Sequence, residues 1–179
     1  MRARALRAMV VAAVFGGCPL FPHAQPGAPV FAQAELFDAA GKKVGTVNFT
    51  EMEGQVTLEV DVEGLPEGEH GFHFHETGTC TPPDFASAGA HFNPANKHHG
   101  MLNPEGRHAG DLPNLKVGAD GKGKLQTTTA LFTLSPGAIS LADADGSAAV
   151  IHAQADDLKT DPAGNSGARI ACGVVKVVQ

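Results

Sequence analysis

An all-β domain, an eight-stranded antiparallel Greek-key barrel or sandwich with two long functional loops, is the fold this sequence predicts. Three observations carry that expectation. Short runs that alternate apolar and polar residues follow one another from Val30 onward, each closed by a turn signal. No stretch shows the period of a long helix. Glycine (22) and proline (12) are abundant while Trp and Tyr are absent, a mix that suits tight turns better than a helical bundle.

In chain order, the first 18 residues read as an export signal. Arg2, Arg4 and Arg7 precede an apolar run from Met9 to Gly17 that is too short to cross a bilayer. Cys18 ends the run after two small residues, where lipoprotein processing would leave a lipid-bearing N-terminus. The other reading is an ordinary secretory signal cut near Ala24 or Ala32. Either way the mature chain works outside the cytoplasm, periplasmic or at the cell surface. Residues 19–29, rich in proline and glycine, read as a tether, and the domain proper spans residues 30–179. Within it "VFAQAELFD" and "VGTVNFTEM" form a first strand pair, and "VTLEVDVEGL" alternates cleanly until Pro66. "HGFHFHE" follows. "NLKVGADGKGKLQTTTALF" holds two strands around an Asp-Gly turn. "AAVIHA" follows a second Asp-Gly turn, and "ARIACGVVKVV" closes the chain. Two stretches, Thr77 to Pro113 and Ala153 to Ala168, lack strand character, and loops of that length in a compact domain are usually functional.

The chemistry lies in nine histidines. In the strand "GFHFHE", alternate side chains leave the same face, so Phe72 and Phe74 point one way while His73 and His75 point the other. Two imidazoles on one face read either as paired metal ligands or as two ordinary half-buried histidines. The first long loop adds His91, His99 and His108, with Asp111 three residues later. Three imidazoles and one carboxylate make a closed tetrahedral set suited to Zn²⁺. His152 ends an apolar run. With His73 and His75 it points to an all-imidazole set, which favours copper in a tetragonal arrangement. Counting residues does not reveal whether the two sets share a ligand. Cys80 and Cys172 are the only pair left if Cys18 is removed or lipidated. They form a disulfide or remain two buried thiols, and the oxidising location favours the bond.

The strings "GFHFHE", "HFNP", "RHAGDLPNL", "VIHA" and "GARIACGVV", in this order, resemble the copper-zinc superoxide dismutases, specifically their bacterial exported branch. The resemblance covers the whole of residues 30–179. It implies the reaction, disproportionation of superoxide to oxygen and hydrogen peroxide, and one copper and one zinc per chain. It further implies that His73, His75, His91 and His152 hold copper, and that His91, His99, His108 and Asp111 hold zinc, with His91 bridging the two. It places Asp156 behind ligands of both sites, pairs Cys80 with Cys172, and sets Arg169 beside the copper. His23, His70 and His98 are left over, read as exposed or locally bonded. The family includes monomers and homodimers, and Cys18 offers a membrane anchor. Two features depart from the family: "HHGML" where a Gly-Gly pair is common, and a segment from Asp157 to Asn165 with one lysine against two acids. A net charge of −6 argues against nucleic acid as a partner. A non-catalytic copper protein or copper carrier of the same fold is the alternative. Against it, no Cys-x-x-Cys or Cys-x-Cys transfer motif is present and all four copper histidines are. A zinc hydrolase would need an open zinc position, and the zinc set is closed.

Overall fold

The computed structural model describes residues 27–178. The signal sequence, Cys18 and most of the tether lie outside the described residues. Ten strands make one antiparallel sheet: β1 (Val30–Asp38), β2 (Lys43–Met52), β3 (Gln55–Glu63), β4 (Gly68–His70), β5 (Phe72–His75), β6 (Leu115–Val117), β7 (Lys122–Thr129), β8 (Ala148–His152), β9 (Arg169–Val174) and β10 (Lys176–Val178). One 3₁₀ turn, Ala86–Ala88, is the sole helical element among the described residues.

These ten strands are the eight predicted runs, two of them interrupted. "HGFHFHE" breaks at Gly71 into β4 and β5, and the last run breaks at Val175 into β9 and β10. The first break closes the fold. The strand order is β4-β6-β7-β3-β2-β1-β9-β8-β5, so the two ends of the sheet are adjoining halves of one chain segment. The sheet therefore curls into a nearly closed barrel, which leaves little free edge.

Local sequence explains the pairing. β1 and β3 bury every second residue along most of their length, as half-buried strands do. β2 and β3 join through Glu53 and Gly54, both at positive φ (52° and 76°), the backbone of a tight hairpin turn. The barrel interior is closed by phenylalanines: Phe74 packs on Phe49, Phe72 and Phe132 with ring centroids 5.5, 5.7 and 5.2 Å apart. Each such buried ring contributes roughly 1.5–3 kcal/mol by leaving water. β5 is buried on both faces. Its phenylalanines fill the barrel, and its histidines lie outside the barrel wall beneath the long loops.

Those loops are fastened at several points. Cys80 and Cys172 form a disulfide across 92 residues of sequence, a closure on the order of 4 kcal/mol in chain-entropy terms. Glu51, buried on β2, accepts the backbone N–H groups of Leu134 (2.6 Å) and Ser135 (2.7 Å) and so orders the connection between β7 and β8.

Candidate metal centre

One strand places most of the site. β5 pairs with β8 along one edge, which sets His152 near His73 and His75. Its other edge takes two pieces of the long loop. Phe74 N donates to Gly110 O (3.0 Å), and Phe92 N donates to Phe74 O (2.8 Å). Short bridges consequently set His91 opposite His75 and Asp111 opposite His73. A residue pattern with period two thus becomes a cluster drawn from three parts of the chain.

His73, His75, His91 and His152 bring one ring nitrogen each to within 4.8 Å of one another, all buried. The second nitrogen of three of these rings fixes which atom faces inward. His73 Nε2 donates to Asp156 Oδ2 (2.7 Å), His75 Nδ1 to Gly89 O (2.9 Å) and His152 Nδ1 to Gly167 O (3.2 Å). That leaves His73 Nδ1, His75 Nε2, His91 Nε2 and His152 Nε2 buried with no hydrogen-bond partner. Burial pushes His91 down to about 4 and His152 to about 3, and holds His75 well below its ordinary value. The facing atoms of these three rings are therefore lone pairs at neutral pH. Buried polar atoms without partners are costly in a native protein, and four converging ring nitrogens are a donor set for a cation that favours imidazole.

His91 also belongs to the second cluster, with His99, His108 and Asp111. Three ring nitrogens close on one carboxylate oxygen: His91 Nδ1 at 2.9 Å, His99 Nδ1 at 3.1 Å and His108 Nδ1 at 3.2 Å from Asp111 Oδ1. The other Asp111 oxygen accepts the amides of Gly100 (2.8 Å) and His108 (3.1 Å). Burial alone would raise the Asp111 carboxyl, but the histidine and amide hydrogen bonds hold it far below the ordinary carboxylate range. Burial likewise pushes His99 down, and Asp111 and Asp156 overcome it, raising His99 to about 9. Positive charge is favoured at this point.

Asp156 links the two clusters. It accepts from His73 at one oxygen and from His99 Nε2 at the other (3.0 Å), so its oxygens orient rings instead of serving as free ligands. Asn114 fastens its backbone in both directions, at 2.8 and 2.9 Å. Gly164 makes room for this carboxylate: its φ is +60°, and a Cβ there would lie 1.7 Å from Asp156 Oδ1.

The matching family model is that of copper/zinc superoxide dismutase, over residues 43–175. The chain belongs to this family. It is 44% identical over 165 residues to the Cu-Zn superoxide dismutase 2 of Aquifex aeolicus, covering 91% of this chain and 96% of the relative. The crystal structure of a superoxide dismutase-like protein from Bacillus subtilis superposes with a TM-score of 0.76 at 46% identity, covering 79% of this chain and 96% of that one. The Cu/Zn superoxide dismutase from Brucella abortus does so with 0.67 at 34% identity, covering 82% and 99%.

All seven side chains expected as ligands converge, and Asp156 joins them. Arg169 opens β9 beside His152 and donates to the carbonyls of Phe85 (2.7 Å) and Gly89 (2.6 Å). The Gly89 oxygen is the one that also orients His75. Of the leftover histidines, His23 lies outside the described residues. His98 is exposed, and His70 is buried. His70 Nδ1 lies 2.8 Å from His152 O and Nε2 lies 2.9 Å from Pro66 O, tying the β4 turn to the backbone of His152.

Proposed function

We propose that this chain disproportionates superoxide to oxygen and hydrogen peroxide, using a redox copper joined through His91 to a zinc. The observation that carries the residue-level reading is the set of buried, unpartnered ring nitrogens, with His91 alone shared by both clusters. His73 Nδ1, His75 Nε2, His91 Nε2 and His152 Nε2 would hold copper. His91 Nδ1, His99 Nδ1, His108 Nδ1 and Asp111 Oδ1 would hold zinc. When bound, the copper supplies the single-electron exchange by which one superoxide ion becomes oxygen and a second becomes peroxide.

The chain's own residues do the rest. His91 is anchored through Nδ1 beside Asp111, so Nε2, whenever it is not engaged as a copper ligand, is the atom at which the ring would hold a proton for the departing peroxide. Two protons are consumed per pair of superoxide ions, so a relay at this atom matters. Asp156 keeps His73 and His99 in register, and Asp111 holds the loop that carries His91. Arg169 offers positive charge beside the copper set.

Metal analysis with electron paramagnetic resonance tests this reading. The expected result is one copper and one zinc per chain, with activity lost when copper is withdrawn. Protein carrying zinc at both sites after growth with ample copper, and inactive, would overturn it. The same result would favour the non-catalytic reading.

The proposed boundaries are a signal over residues 1–18, a tether over 19–29 and the enzyme domain over 30–179, exported and held at the membrane through a lipid on Cys18. The disulfide supports an oxidising compartment. The enzyme domain acts as a monomer or a homodimer. Mass spectrometry of the mature N-terminus is expected to show an acylated Cys18. An unmodified peptide beginning near Gln25 or Gln33 refutes the anchor.

A further inference from the structure

The two long loops meet at a second point, away from the Asp156 bridge. Asp161, in the loop between β8 and β9, turns both carboxylate oxygens onto two consecutive residues of the other loop. Oδ1 accepts the backbone N–H of His99 at 2.5 Å, and Oδ2 accepts Nδ1–H of His98 at 2.6 Å. His98 Nε2 lies 3.1 Å from Glu105, so that ring stands between two carboxylates at the surface. His99 itself is fully buried, and its ring is held by Asp156. One residue is thus gripped at ring and backbone by two aspartates of the facing loop. Leu102 N adds a third tie, donating to Leu158 O at 3.0 Å.

The two contacts of Asp161 differ in worth. The His98 pair is half exposed, with 55% of the His98 side chain and 45% of the Asp161 side chain accessible. Water and salt screen such a pair, and it contributes little. The His99 amide is partly buried and meets no backbone acceptor among the described residues. A hydrogen bond from such an amide to a carboxylate is of the stronger, charge-assisted kind. We propose that Asp161 is a positioning residue for the zinc cluster, accepting the His99 N–H and so fixing the backbone from which His99 Nδ1 is aimed. The inference rests on the reading of His99 as a zinc ligand. It requires only an acceptor oxygen at position 161, so asparagine should serve where alanine does not.

The test uses the full copper- and zinc-loaded protein and its Asp161→Ala, Asp161→Asn and His98→Gln variants. Zinc transfer to an excess of chromogenic chelator is followed for each. Asp161→Ala is expected to release zinc ~10-fold faster, the loss of one hydrogen bond to a charged group. Asp161→Asn should restore most of the difference, and His98→Gln should stay near wild type. With cobalt(II) in the zinc cluster, the d–d absorption should change in Asp161→Ala and return in Asp161→Asn. The copper resonance signal should be the same in all of them. Release at the wild-type rate from Asp161→Ala overturns the proposal. So does release from Asp161→Asn as fast as from Asp161→Ala, which would move the effect to the His98 pair. Should Asp161→Ala not accumulate, hydrogen exchange of the His99 amide in the wild-type protein decides: protection supports the grip, and exchange at the rate of a free amide removes it. Wild-type protein without zinc would instead overturn the ligand assignment itself.

Discussion

His152→Ala is expected to reduce dismutation to background while zinc stays bound, and Asp111→Ala to release zinc first. The asymmetry follows from membership. His152 belongs to the cluster proposed for copper and is not a member of the cluster of His91, His99, His108 and Asp111. Its removal deletes one of four converging nitrogens and opens a gap in a buried wall. Asp111 sits wholly in the other cluster and does more than face a cation. Its second oxygen holds the amides of Gly100 and His108, so the alanine variant leaves two donors without their acceptor and frees the loop between them. Copper loss in that variant should lag zinc loss, because His91 stays pinned to β5 through its neighbour Phe92. Metal content per chain, measured alongside the rate of superoxide decay, reads both effects. Equal loss of both metals in each variant would argue against two distinct clusters.

Much of this arrangement was legible in the sequence because it follows from local period. Phe72 and Phe74 inward, His73 and His75 outward, is what a strand does with alternate residues. The eight runs were legible for the same reason. Their interruption at Gly71 and Val175 was not: the first reflects closure of the barrel between β4 and β5, and the second lets β10 pair with β1 off the main strand order. Burial of both faces of β5 was equally hidden, because the outer cover is loop. Contacts between distant residues carried no local signal at all. Glu51 carries no mark of its role in its own strand, yet it accepts amides 83 and 84 residues away. His70 and Asp161 likewise acquire their roles only when distant parts of the chain meet them. Counting residues left the sharing of His91 open; the family resemblance implied it, and the structure puts His91 in both clusters. Residue types and spacing announced two donor sets, and their common member is a property of geometry.

Arg169→Glu is expected to lower the second-order rate ~10-fold or more at equal copper content, within the range that local fields give to charged substrates. Without Arg2, Arg4 and Arg7 the chain keeps ten basic against 19 acidic side chains, so its overall field repels an anion. A fast reaction with superoxide then needs positive charge concentrated at the site. Arg169 would supply it: it pairs with His152 across β8 and β9, and after burial and neighbouring rings its charge is among the influences that lower both His75 and His152. Its guanidinium also has a second task, holding the carbonyls of Phe85 and Gly89, and the latter orients His75. Charge reversal therefore attacks both the field and the support of His75, a proposed copper ligand, and the two must be separated. Rates are normalised to bound copper, which removes the structural part. Salt dependence then isolates the field, since ~0.15 M salt screens charges beyond about 8 Å. The wild-type rate should fall as salt rises. In Arg169→Glu that fall should flatten or reverse, because screening now weakens a repulsion. A variant that keeps the wild-type salt slope and loses rate only in proportion to copper would show that Arg169 supports His75 and does not draw superoxide in.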